Sequence, residues 1–250
     1  GNSVENRSIY AMKISDNVGT EEDEKEFLVT ANTHAREIMT PEVAIFFINY
    51  LTSNYNTNTE IKGLVDNREI WIVPMINPDG HVRVENGDIW WRKNRRNNGD
   101  GTFGVDLNRN YGYKWGYDNV GSSPNTGSET YRGTSAFSEP EIQAIRDLAK
   151  DHNFVFNLDY HSYGKMLLYA WCYIDEFTPD HDKFVNMSEN MISNLEGYRH
   201  GTVSQLLYTS NGNSKDWAYG ERNEKNGLYQ FTFELNSGSE GGFRPDASLI

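Results

Sequence analysis

Glu26-Phe-Leu-Val-Thr-Ala-Asn-Thr-His-Ala-Arg-Glu-Ile-Met-Thr-Pro-Glu-Val43 passes from strand chemistry to helix chemistry in one short stretch. Residues 26–31 form an apolar run closed by polar residues, the pattern of a buried strand. Thr40-Pro-Glu-Val43 then supplies a hydroxyl that can cap, a proline at the first helical position and an acid in the first turn. An apolar face follows as far as Tyr50, so the spacing predicts a helix over residues 40–54. His34-Ala-Arg-Glu37 falls between the two, just past the end of the strand.

The same alternation continues outward from this unit. Residues 69–76 read as a second strand ending in Asn77-Pro-Asp-Gly80, whose residue types favour a turn. From there to about residue 135 the chain is rich in Asn, Gly, Tyr and Ser and has no clear period; so long an irregular stretch in a compact domain is usually functional. Ser138-Glu-Pro-Glu141 reads as a capping box opening a helix to about Lys150, followed by a strand over residues 154–160. Helices are expected around 180–195 and 214–224, and a last strand over 228–235. That strand is apolar or aromatic except at Gln230, Thr232 and Glu234, which fits a central strand covered on both faces. Alternating strands and helices with no repeat or linker predict one α/β domain over residues 1–250.

A formal charge of −13 argues against nucleic acid or an anionic membrane as the main partner. The longest apolar run, Val43 to Tyr50, falls well short of the roughly 20 residues of a membrane span, and no basic-then-apolar leader opens the chain. Cys172 is the sole cysteine, so no intrachain disulfide forms, and its aromatic surroundings suit a small buried hydrophobe.

Three constellations carry chemistry. An imidazole and a carboxylate three residues apart, His34 and Glu37, can converge on one metal with His161 from another strand end, leaving a tetrahedral position open. Taken alone H-x-x-E is weak, since a loop histidine beside a solvated acid gives the same letters. Both histidines, however, follow strand ends, where open α/β sheets place ligands. Glu234, set in an apolar strand, needs either a counter-charge such as an arginine or a task as general base. Arg92 and Arg109, in the irregular region, either form surface ion pairs or bind a carboxylate or a developing oxyanion.

Four separated motifs, in order, resemble those of zinc exopeptidases of the carboxypeptidase A and B type, most closely the bacterial carboxypeptidase T branch. They are His34-Ala-Arg-Glu37, Asp106-Leu-Asn-Arg-Asn110, His161-Ser-Tyr163 and Phe231-Thr-Phe-Glu-Leu235. The resemblance implies a three-layer α/β/α fold around a central mixed, mainly parallel twisted sheet, and a secreted enzyme acting on peptide or protein C-termini. It implies one zinc ion on His34, Glu37 and His161, with Asp106 orienting the His34 ring and Glu234 as general base. Arg92 would hold the oxyanion, and Asn108 and Arg109 the substrate carboxylate under Tyr208. Arg36, Tyr163 and Phe243 would line the neighbouring subsite.

Set against that family, the helix and strand expected before Gly1 and the helix expected after Ala247 are absent. In the implied specificity pocket, Lys215 stands where relatives carry an apolar residue or an aspartate, and Asn213 where the T branch carries an aspartate. Both changes favour a C-terminal Glu or Asp, unless Lys215 swings into solvent. The acidic run Glu21 to Glu26, with Glu69, resembles a calcium-binding region of the T branch, although a solvated charged loop gives the same composition. Two rivals stand: a cell-wall peptidase acting on D-glutamyl or diaminopimelate bonds, and an inactive zinc-binding module. Arg92, Asn108, Arg109 and Tyr208 argue against the first, and Glu234 against the second.

Overall fold

Strands β2 (Lys25–Ala31) and β3 (Arg68–Val73) pair in parallel, and their alternate residues feed two different cores. Val29, Ala31, Ile70 and Ile72 pack with Ala44, Leu51, Ile61 and Val65 on one face, while Leu28 and Val73 pack with Ile142, Ile145, Ala149 and Trp217 on the other. Burial on both faces is the reason these strands read as near-continuous apolar runs. Each fully buried aliphatic or aromatic side chain contributes about 1.5–3 kcal/mol of transfer free energy.

The computed structural model describes residues 1–249. The other strands are β1 (Met12–Ile14), β4 (Phe154–His161), β5 (Met166–Tyr169), β6 (Arg199–Thr202) and β7 (Tyr229–Glu234), and the sheet order is β1-β3-β2-β4-β7-β5-β6. β1–β3 and β5–β7 are antiparallel, and the other neighbours are parallel. Helices α1 (Met39–Asn54), α2 (Thr59–Val65) and α5 (His181–Ile192) cover one face; α4 (Pro140–Asp151) and α7 (Ser214–Gly220) cover the other. α3 (Pro78–Glu85) and α6 (Val203–Leu206) are short. The result is the expected three-layer fold with a mixed, mainly parallel sheet. Among the described residues no helix is long and apolar enough to cross a membrane.

Local chemistry departs from the expectations in several places. The Thr40 hydroxyl does not cap α1; it accepts from Asn32 N at 3.0 Å and donates to Glu37 O at 2.9 Å, which ties the metal-motif loop to the helix start. Ser138 forms no capping box, because its hydroxyl donates to Glu139 Oε1 at 2.7 Å and α4 begins at Pro140 without a side-chain cap. Asn77-Pro-Asp-Gly80 is a helix start, with Asn77 Oδ1 accepting from Gly80 N and Pro78 at the first position. β3 ends at Val73, before Pro74, which has no N–H to offer the ladder. α7 stops at Gly220 because Glu221 is extended.

In β7 the polar positions are not scattered. Gln230, Thr232 and Glu234 share one face, in register with Asn157, Asp159 and His161 of β4, so the two central strands build a polar ladder that ends at the sheet's C-terminal edge.

Candidate active site

His34 and Glu37 lie in the loop between β2 and α1, and His161 is the last residue of β4; all three are buried. Glu37 Oε1 lies 2.7 Å from His34 Nδ1, and Glu37 Oε2 lies 2.9 Å from His161 Nδ1. The two Nδ1 atoms face each other at 3.1 Å. On their far sides, His34 Nε2 donates to Asp106 Oδ1 at 3.2 Å and His161 Nε2 donates to Asp159 Oδ2 at 3.1 Å. With the ring protons committed to these carboxylates, two imidazole lone pairs and a carboxylate point at one place, an arrangement suited to a metal cation. Two nitrogens and one carboxylate suit zinc with a fourth position free. Burial opposes the charge on Glu37, but His34 and His161 outweigh it and hold the carboxyl well below the usual range.

Glu234 closes β7 opposite His161. Burial, aided by the charge on Glu37, pushes its carboxyl up to about 7, and a dication on the three ligands would counter that shift. Arg92 donates to Asp106 Oδ2 from NH2 at 2.9 Å and from Nε at 3.2 Å, so one fully buried carboxylate orients both the guanidinium and the His34 ring. Arg109 donates from NH1 to Asn108 O at 2.7 Å and from Nε to Gly121 O at 3.1 Å, which leaves NH2 directed at Tyr208 Oη, 3.4 Å away. Asn108 Oδ1 accepts from Ser214 N at 3.0 Å, joining this loop to α7.

The three ligands, Glu234, Arg92, Asn108, Arg109 and Tyr208 line one cleft of about 340 Å³ together with Arg36, Tyr163, Phe243, Asn213 and Lys215. Arg36 lies over the Phe243 ring at 4.5 Å, and Tyr163 meets the same ring edge-on at 4.8 Å. Tyr208 is half exposed at the rim. Asn213 reaches the cleft, but its amide is engaged: Oδ1 accepts from Asp216 N as the cap of α7, and Nδ2 donates to Ser210 O. Lys215 does not swing into solvent. It is 5% exposed, its Nζ donates to Thr232 Oγ1 at 3.0 Å, and among the described residues it forms no salt bridge.

Sequence reasoning missed Asp159, although Asn157, Asp159 and His161 at every second position of β4 were a visible polar stripe. It also missed Met166, Leu168, Val203 and Leu207, the apolar walls of the cleft, which lie on β5, on α6 and just beyond it. Elsewhere the structure brings two carboxylate groups together, Glu21 with Glu26 and Glu69, and Asp16 with Glu22 and Glu24. Glu69 is fully buried, with Lys13 Nζ 2.8 Å from Oε1.

A buried pair of imidazoles and a carboxylate at the C-terminal edge of a mainly parallel sheet, beside a separate half-buried glutamate, is a candidate single-metal centre in the cleft. The sequence profile of the zinc carboxypeptidase family matches residues 1–250, and the chain belongs to that family. It is 31% identical over 252 residues to carboxypeptidase O of Bos taurus, covering 97% of this chain and 65% of that protein. It is 34% identical over 263 residues to a zinc carboxypeptidase of Saccharothrix mutabilis subsp. capreolus, covering all of this chain and 59% of that one. The chain therefore spans about three fifths of the length of these relatives. The crystal structure of carboxypeptidase A from Helicoverpa armigera superposes with a TM-score of 0.85 at 31% identity, over 94% of this chain and 58% of the other.

Proposed function

We propose that this protein is a zinc-dependent exopeptidase that removes the C-terminal residue of peptides and favours an acidic residue there. The observation that carries this reading is the joint presence, in one cleft, of the three convergent ligands, the unligated Glu234 and the Arg109–Asn108 pair. Bound zinc would acidify a water to a pKa of about 7 and polarise the scissile carbonyl. Glu234, half-buried and without an arginine salt bridge among the described residues, is the group that takes the water's proton and returns it to the leaving amine. Arg92, fixed by Asp106, donates to the carbonyl oxygen as charge develops on it. Arg109 and Asn108 hold the free carboxylate, so an internal peptide bond offers nothing to this end of the cleft. Arg36, Tyr163 and Phe243 flank the preceding residue. Lys215, which lines the cleft with Met166, Leu168 and Val203, meets the side chain of the residue removed.

A peptide with a free C-terminus is expected to lose its last residue, while the same peptide as its C-terminal amide is cleaved at least about a hundredfold more slowly. Chelation should abolish the activity and added zinc should restore it. Equal cleavage of acid and amide would remove the carboxylate clamp from this reading, and activity in the absence of zinc would remove the metal.

Within the family we assign the chain to the bacterial carboxypeptidase T branch, with calcium on the carboxylates around Glu69. A fully buried carboxylate that has one lysine against two oxygens favours a further cation. Removing calcium while zinc is retained should lower Tm by about 5–10 °C. An unchanged melting curve would refute the calcium site.

A further inference from the structure

Asp159 lies in the middle of the polar ladder and is buried, 2% exposed, with no solvent to share its charge. Oδ1 accepts from Thr30 Oγ1 at 2.9 Å. Oδ2 accepts from His161 Nε2 at 3.1 Å, from Ser214 Oγ and Gln230 Nε2 at 3.2 Å each, and from Thr232 Oγ1 at 3.4 Å. The same Thr232 hydroxyl accepts from Lys215 Nζ at 3.0 Å, and Ser214 precedes Lys215 in the first turn of α7. One carboxylate thus touches a proposed metal ligand directly and, through a single hydroxyl, a lysine that lines the cleft.

We propose that Asp159 is a positioning residue shared by the metal centre and the side-chain pocket: it fixes the His161 ring for zinc and tempers the positive charge that Lys215 presents to the substrate. This rests on the carboxypeptidase reading above and adds a division of labour to it. Asp106 orients His34 and Arg92, which act on the scissile bond. Asp159 orients His161 and partly offsets Lys215, which selects the residue to be removed. An unmoderated ammonium would grip an acidic side chain harder, and would also hold the released amino acid longer.

The test uses Asp159→Asn, which keeps the size and an acceptor for His161 Nε2 but removes the charge, and Asp159→Glu, which keeps the charge and displaces it. Zinc affinity is measured by competition with a chromophoric chelator, and specificity as the ratio of kcat/KM for peptides ending in Glu and in Gln. Both variants should bind zinc about 10–100-fold more weakly. D159N should raise the Glu-to-Gln ratio about tenfold when Lys215 is present, and leave it unchanged in a Lys215→Met background. D159E should leave the ratio near that of the wild type. Should D159N fail to fold, D159E still tests the zinc limb, and a ratio far from wild type in D159E would count against the charge limb. Unchanged zinc affinity, or a ratio that moves equally with and without Lys215, overturns the proposal. A wild-type enzyme with no preference for Glu would instead fail the reading of Lys215, before any variant is compared.

Discussion

Replacing Glu234 by Gln is expected to lower kcat by about a thousandfold, with zinc content unchanged and Tm equal or higher. The substitution keeps the size of the side chain and removes its ability to take a proton. Glu234 is not among the convergent ligands, so zinc should stay. The stability direction follows from its environment: burial, reinforced by Glu37, pushes the Glu234 carboxyl up to about 7. A carboxyl whose folded pKa is raised binds its proton more tightly in the folded state. Its ionised form therefore subtracts stability as pH rises from the unfolded value toward about 7, and an amide escapes that cost. Bound zinc reduces the effect, so the gain in Tm should be largest after chelation. A variant that keeps activity within tenfold of wild type would show that another group moves the proton, and loss of zinc would show that Glu234 is a ligand.

The layers of the fold were legible because the two-sided burial of β2, β3 and β4 writes itself as apolar runs, and because Thr40-Pro and Glu139-Pro mark helix starts. The elements that were missed are short and lack a period: β1 has three residues, and β5 is a uniformly apolar Met-Leu-Leu-Tyr. Turn chemistry misled where one asparagine could serve either structure. Asn77 caps a helix in a sequence that equally suits a turn. At the site, ligands that follow a strand end were legible from position and residue type. Asp159 was not, because a buried acid two residues before a ligand histidine declares its partners only once β7 and α7 are packed against β4. The position of Lys215 was likewise open until the fold set it on Thr232.

Lys215 carries the second large effect, and the direction follows from charges that do not cancel. It occupies the first turn of α7, where the helix dipole disfavours a cation, and it is almost wholly buried. Asp216, beside it in sequence, points elsewhere, accepting from Cys172 N at 2.8 Å and Tyr173 N at 3.0 Å. Asp159 reaches Lys215 only through the Thr232 hydroxyl. A buried ammonium held against these costs is best satisfied by an anion arriving from the cleft, and a C-terminal glutamate or aspartate brings one. Truncation of one member of a buried charge pair costs about 2–5 kcal/mol. Lys215→Met should therefore lower kcat/KM for a peptide ending in Glu by about a hundredfold, mainly through KM, with little loss for one ending in Leu. The variant should also melt higher, since it removes a buried charge that has no direct carboxylate partner among the described residues and reaches Asp159 only through a hydroxyl. Lys215→Asp should shift preference toward C-terminal Lys and Arg. The decisive comparison is the wild type on matched peptides: faster release of Lys than of Glu would mean that the ammonium faces no substrate, and the pocket would have to be read from its apolar walls, Met166, Leu168, Val203 and Leu207, alone.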